Sequence, residues 1–313
     1  MKKNILIRCD ASEKIGLGHI TRCLVLAKNL EKMGYKIYFA TKNYELGIKK
    51  IKESKYNILI PSEENFNYDS WIQNITDNKN INIFIGDVRD NFPIKTIKKL
   101  KEKKILTIAI DEPSEYAKEC DLCFYPPHAT INEKDYSGKV YKGFEYVILR
   151  DEFYQDCKKQ KNDIPNVLVM MGGTDPYHLT FEVVEELISI EQNINISVII
   201  KENHPDRKRI KNLGKNINIY FDVKNMASFL TKIDFAVISF GVSAYELLAM
   251  DIPAIHICLD EEHYKASCKM NSDKINLILR KDEINIKKLN FDFKVKKLFP
   301  KCLVTEVIST YKI

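Results

Sequence analysis

The residues best suited to chemistry lie together in Gly16-Leu17-Gly18-His19-Ile20-Thr21-Arg22, with Asp10 and Ser12 just ahead of them. An imidazole in such a stretch can take up a proton at neutral pH. Ile5-Leu6-Ile7, upstream, is a short bounded apolar run and predicts a buried strand. Leu24, Leu26, Ala27, Leu30 and Met33, downstream, keep the three- and four-residue spacing of one helix face. Strand, glycine turn and helix therefore meet at the first crossover of an α/β domain. Gly16 and Gly18 let the backbone approach a ligand closely, and the first helical amides face any anion that arrives. His19 begins that helix. A positive helix end disfavours imidazolium by ~0.3–1 kcal/mol, so a neutral ring that accepts a proton is expected.

Two common nucleotide sites do not fit. Thr21 replaces the third glycine of a dinucleotide fingerprint, and the second strand, Lys36–Ala40, runs into Thr41-Lys42 with no acid at its end. No GxxxxGK[ST] phosphate loop occurs.

The pattern restarts in the second half. Val167–Met171 reads as a buried strand, Gly172-Gly173-Thr174-Asp175 as a glycine turn offering amides and a hydroxyl to a pyrophosphate, and Leu179–Ile190 as a helix. Ser239-Phe240-Gly241-Val242-Ser243 ends another strand and opens a helix whose first amides and Ser243 hydroxyl suit a diphosphate. Glu246, three residues past Ser243, falls on the same face, where a carboxylate accepts the hydroxyls of a ribose. Met226, in the turn after the preceding strand, offers backbone groups to a base edge.

Strands legible as continuous apolar runs, alternating with amphipathic helices, predict parallel sheets covered on both faces. We expect two Rossmann-like domains, 1–160 and 161–313, joined near Gln160–Pro165 and facing each other across a cleft, with a polar C-terminal extension and a closing helix within Val295–Ile313. The 313 residues are 45% hydrophobic and 29% charged, ordinary for a soluble chain. The net charge of +6 is spread as lysines over helical stretches without interleaved aromatics, which argues against nucleic acid as a partner. Met1-Lys2-Lys3-Asn4 leads straight into a strand, no apolar run reaches membrane-spanning length, and eight cysteines without an export signal suggest a reducing cytoplasm. Cys120-Asp121-Leu122-Cys123 is a lone pair of thiols, expected to pack rather than bind zinc. No metal and no cofactor is expected.

The same residues carry a family resemblance. Arg8-x-Asp10-x-Ser12, then Ile15-Gly16-x-Gly18-His19-x-x-Arg22-x-x-x-Leu26-Ala27, resembles the opening of the PseG family of UDP-sugar hydrolases in pseudaminic acid biosynthesis. Leu149-Arg150-Asp151-Glu152-Phe153-Tyr154, Met171–Asp175 and Ser239–Glu246 follow in that family's order, so the likeness covers most of residues 3–260. It implies a GT-B-like architecture similar to MurG, a UDP-sugar as substrate, and association with other enzymes of the same sugar pathway. It also implies that His19 acts as the base activating water at the anomeric carbon, and that Glu246 holds the nucleotide ribose. Within it, Arg22 is expected to steady charge on the substrate, Asp10 to orient His19 or meet a sugar hydroxyl, and Asp87 to line the sugar side.

Two segments depart from the family pattern: Asp87-Val88-Arg89-Asp90 stands where Asp-His-Tyr is usual, and Phe124-Tyr125-Pro126-Pro127-His128 where an asparagine-bearing loop is usual. Both leave open the identity of the sugar, and whether water or a hydroxyl acceptor receives it, as in SpsG-like glycosyltransferases.

Overall fold

The computed structural model describes residues 3–12, 16–127, 131–155, 157–172, 175–190, 192–271, 277–284, 286 and 300–311. The chain divides into two compact units, Met1–Ile148 with Lys301–Ile313, and Leu149–Pro300. Each is built on an all-parallel sheet.

In the first unit the strands are β1 (Asn4–Cys9), β2 (Lys36–Ala40), β3 (Asn57–Leu59), β4 (Ile81–Asp87), β5 (Leu106–Ile110), β6 (Leu122–Tyr125) and β7 (Lys139–Lys142). Their order is β3-β2-β1-β4-β5-β6-β7. The connecting helices are α1 (Gly18–Lys32), α2 (Glu45–Glu53), α3 (Tyr68–Asn78), α4 (Ile94–Glu102) and α5 (Glu115–Lys118). β1 is central, with Ile7 beside Phe39 of β2 and Ile85 of β4, and Ile5, Leu6 and Ile7 are wholly buried. That is the apolar run expected of a strand covered on both faces. On one face, Ile20, Cys23, Leu26, Ala27 and Leu30 of α1 close the core; on the other, Ile72, Ile75, Ile97 and Leu100 of α3 and α4 do so.

In the second unit the strands are β8 (Asn166–Met170), β9 (Asn195–Ile199), β10 (Ile217–Tyr220), β11 (Phe235–Ser239), β12 (Ala254–Cys258) and β13 (Leu277–Arg280), ordered β10-β9-β8-β11-β12-β13. The helices are α6 (Leu179–Ile188), α7 (Arg207–Lys211), α8 (Met226–Leu230), α9 (Val242–Ala249) and α10 (Glu261–Met270). A last helix, α11 (Val304–Thr310), returns to the first unit.

Two expectations about organisation differ from the structure. The division falls at 148/149 rather than 160/161, because residues 149–165 are already tied into the second unit. Phe153 is buried there, Gln160 N donates to Thr231 O at 2.8 Å, and Asn162 Nδ2 donates to Asp234 Oδ2 at 2.7 Å. The closing helix belongs to the first unit, not the second. Val304 and Ile308, one turn apart, join the core cluster of α1, and Leu303 N donates to Glu145 O at 2.8 Å. No helix among the described residues is long and apolar enough to cross a membrane.

Candidate active site

In both sheets the strand order reverses beside the first strand of the unit, between β1 and β4 and between β8 and β11. Ligands of open α/β sheets bind outside the carboxyl ends of strands at such points. β4 ends on Asp87, whose side chain is fully buried. A buried carboxylate requires partners, and one face of α1 provides three. Arg22 Nε donates to Asp87 Oδ2 at 2.6 Å, Cys23 Sγ donates to the same oxygen at 3.3 Å, and His19 Nδ1 lies 2.6 Å from Oδ1. Positions 19, 22 and 23 are one turn apart, so the helix itself brings them together.

Burial pushes the Asp87 carboxyl up, but Arg22 and then His19 outweigh it and hold the group well below the usual carboxylate range. An ionised carboxylate only accepts, so His19 Nδ1 carries the hydrogen, and in the neutral ring Nε2 is the acceptor. Arg22 Nη2 also comes within 3.0 Å of His19 Nδ1. Both are donors converging on Asp87 Oδ1, and the approach reflects that shared acceptor. The outer edge of the guanidinium donates from Nη1 to Asp111 Oδ2 at 2.7 Å. Asp111 follows β5 with a left-handed φ of 49°, a conformation aspartate tolerates better than most residues.

Gly16 has a φ of 81° and donates its amide to Ser12 O at 2.8 Å, closing the turn into α1. A β-carbon at Gly16 or Gly18 would meet no atom within 4 Å. No side chain caps α1. Ile15 and His128 lie outside the described residues.

Asp10 does not orient His19; Asp87 does. Arg8, wholly buried beside it, explains why. Asp10 Oδ1 accepts from Arg8 Nη1 at 2.6 Å, Thr41 Oγ1 at 3.1 Å and Lys42 N at 2.9 Å, and Oδ2 accepts from Arg8 Nη2 at 2.7 Å. Three donors converge on Oδ1 and one meets Oδ2, so the carboxylate is held mainly by its own unit. Burial alone would push this carboxyl up, yet Arg8 and then Lys42 bring it below its ordinary value.

Glu112, absent from the sequence reading, sits at the same rim after β5 and is nearly buried. Its Oε1 accepts from Ser114 N at 3.1 Å, while Oε2 is buried without a hydrogen-bond partner. Burial pushes its carboxyl up to about 7.

In the second unit the two glycine turns converge. Gly172 has a φ of 82°, and a β-carbon there would come 3.4 Å from Ser239 Oγ. Gly173 and Thr174 lie outside the described residues. Asp175 accepts from Leu179 N at 2.9 Å and Thr180 N at 2.8 Å, so its carboxylate satisfies the first amides of α6. The start of α9 carries no such cap. Gly241 is extended there, no side chain caps the helix, and a β-carbon at Gly241 would meet nothing within 4 Å. Ser243 stands in that first turn and Glu246 one turn on.

Glu246 is mostly buried and paired, with Arg150 Nη2 donating to its Oε1 at 3.1 Å. Arg150 also reaches Glu152, Nη1 to Oε1 at 3.3 Å. Burial pushes the Glu246 carboxyl up, opposed by Arg150 and reinforced by Glu152. The Met226 amide, one of the backbone groups expected to face a base edge, donates instead to Glu152 Oε1 at 2.9 Å. Arg150 and Glu152 were visible only as part of a motif, with no sign of what they would touch.

Cys120 and Cys123 are buried thiols, donating to Tyr116 O at 3.5 Å and Ala117 O at 3.1 Å. Burial pushes the Cys123 thiol up to about 12.

No protein-family model matches the chain. An uncharacterized protein of Methanocaldococcus jannaschii is 31% identical over 278 residues, which are 82% of this chain and 56% of that protein, so the chain spans little more than half of that relative's length. The UDP-2,4-diacetamido-2,4,6-trideoxy-beta-L-altropyranose hydrolase of Campylobacter jejuni is 28% identical over 280 residues, 81% of this chain and 91% of that one. The spore coat polysaccharide biosynthesis protein SpsG of Bacillus subtilis is 21% identical over 86% of this chain and 80% of its own. In fold, MurG of Acinetobacter baumannii matches over 98% of both chains with a TM-score of 0.71 at 14% identity.

Proposed function

From a chain of GT-B fold that is similar in sequence to a UDP-sugar hydrolase and to SpsG, we propose an enzyme that hydrolyses a UDP-activated 2,4-diacetamido-2,4,6-trideoxyhexose at the anomeric carbon. Fold alone does not decide a reaction. The observation that carries this reading is His19, with Nδ1 turned to a buried ionised Asp87 and Nε2 left to accept.

In this reading Nε2 takes a proton from water as the water oxygen bonds to the anomeric carbon. The bond from that carbon to the diphosphate oxygen breaks on the opposite face, so the configuration inverts. Asp87 stabilises the imidazolium that forms, and Arg22 keeps Asp87 ionised. A glycosidase needs a carboxylic acid to protonate its leaving group. UDP leaves as a stable anion, so one base and a set of dipoles around the diphosphate suffice. No metal or cofactor takes part. Gly172, Ser239, Gly241 and Ser243 would hold the diphosphate and Glu246 the ribose. The sugar side belongs to Gly16, Gly18, Arg22 and the rim around Asp87. The enzyme would work in the cytoplasm.

The sequence likeness to SpsG and the Asp87-Val88-Arg89-Asp90 segment favour one alternative, transfer of the same sugar to a hydroxyl acceptor. Mass spectrometry of products from a panel of UDP-sugars, with no acceptor added, separates them. Free sugar and UDP in equal amounts support hydrolysis; products only with an added acceptor overturn it.

A further inference from the structure

Glu246 cannot be considered without the arginine that faces it. Its side chain is 12% exposed, and burial penalises its charged form. Two charged groups act on it, both from the segment that enters the second unit: Arg150, donating to Oε1 at 3.1 Å, and Glu152, a like charge. Glu152 spends its Oε1 on the amides of Met226 at 2.9 Å and Ala227 at 3.4 Å, which fixes the start of α8. Arg150 bridges the two carboxylates and lies over the Phe153 ring, 5.1 Å from its centroid. With one Glu246 oxygen engaged by Arg150, its other oxygen and remaining lone pairs are the acceptors that a pair of vicinal hydroxyls needs.

We propose that Arg150 is the positioning residue for ribose recognition: by donating to one oxygen of Glu246 it keeps that carboxylate an acceptor and aims it at the two ribose hydroxyls. The inference rests on the reading of Glu246 as the ribose ligand and adds the residue that makes it work. Without Arg150, burial and Glu152 together favour a protonated Glu246. A protonated carboxyl turns one of its acceptors into a donor, and the match to the diol is lost. Arg150 touches no substrate in this role; it acts through Glu246.

The test is calorimetric titration of the full-length protein and of its Arg150→Gln, Arg150→Lys and Glu246→Gln variants with UDP and with 2′,3′-dideoxy-UDP, from pH 6 to 9. Wild type should prefer UDP. Arg150→Gln should lose roughly 10- to 100-fold in UDP affinity at pH 7, the worth of a hydrogen bond to a charged group. Its affinity for the dideoxy nucleotide should not change. The loss should shrink as pH rises and Glu246 ionises unaided, Arg150→Lys should restore much of it, and Glu246→Gln should lose affinity without that pH dependence. An equal loss on both nucleotides, or one independent of pH, makes Arg150 merely structural and overturns the proposal. A wild type that binds both nucleotides equally overturns the ribose reading itself.

Discussion

His19 Nδ1 and Asp87 Oδ1 are 2.6 Å apart, although 68 residues separate them in the chain. The pairing fixes one tautomer of the ring, and the carboxylate is fixed in turn by Arg22 and Cys23. The base and its orienter therefore come from a helix start and a strand end of one rigid unit.

Replacing His19 with alanine removes the proposed base while leaving Asp87 held by Arg22 and Cys23. UDP release should fall by ~10²–10⁴, the usual worth of a positioned base. UDP affinity should stay near wild type, because the proposed nucleotide ligands lie in the other unit. Single-turnover assays with a parallel binding titration check both; undiminished turnover would remove His19 from the chemistry.

Asp87→Asn should harm both activity and stability. The amide leaves Arg22, mostly buried, facing one carboxylate instead of two. Breaking a buried pair costs on the order of 3–5 kcal/mol, an upper range here because Asp111 remains. Turnover should fall at least as steeply as stability allows, since an asparagine amide can present its NH2 to Nδ1 and reverse the tautomer. Denaturation curves and rates at a temperature where the variant stays folded separate the two effects.

Asp10→Ala should act on the fold. It removes the bidentate partner of Arg8, which has no exposure to water, and leaves it Asp90 at 3.3 Å and the Tyr68 hydroxyl at 2.6 Å. A loss on the order of 3–5 kcal/mol is an upper range here because Asp90 remains. Activity per folded molecule should change little. An inactive variant of wild-type stability would return Asp10 to the substrate.

Glu112 should make the protein less stable as pH rises. Its folded carboxyl titrates at about 7 against an ordinary 4.5, so between those values the native state holds a proton that the unfolded chain has released. Its contribution is full below about 4.5 and lost as pH climbs through 7. Glu112→Gln should gain on the order of 1–3 kcal/mol at pH 8 and little at pH 4.5. Urea midpoints at the two pH values decide it.

His256 works in the opposite direction. It is wholly buried against Ser267 Oγ at 2.7 Å, and burial pushes its pKa down to about 3 from the ordinary 6.5. The unfolded chain binds a proton that the folded chain refuses, so stability falls as pH drops below about 6.5. Between pH 7 and pH 5 this should amount to on the order of 2 kcal/mol, and a His256→Gln variant should show a correspondingly flatter profile.

Much of this architecture was legible because parallel strands buried on both faces write themselves as apolar runs. Lys36–Ala40 matches the structure residue for residue, Ile5-Leu6-Ile7 lies inside β1, and the strand read as ending at Ser239 does end there. β7, with Lys139 and Lys142 at its ends, is a half-buried edge lacking such a run; β13 has one in Leu277-Ile278-Leu279 but sits half-buried at an edge of the second sheet. His19 and Glu246 stood out by their place in turn-helix junctions. Their partners did not. Asp87 was read as lining the sugar side, Asp111 and Glu112 gave no signal beyond acids following an apolar run, and Arg150 meets Glu246 across 96 residues. Side-chain pairing between distant strand ends leaves no periodicity. The pairing of Asp10 with Arg8 was not foreseen for the related reason that a buried arginine inside a strand is uncommon.

Because α11 completes the core around α1 with Val304 and Ile308, the first unit is discontinuous along the chain. A nascent polypeptide emerging from the ribosome carries its first ~150 residues with an uncovered apolar patch while the second unit is still being made, for several seconds at ordinary synthesis rates. The second unit, contiguous from Leu149 to Pro300, can mature while the first still waits for its last helix. A fragment cut at 148 would keep that patch bare and should call on chaperones or aggregate, whereas a fragment of Leu149–Pro300 loses no segment of its own unit.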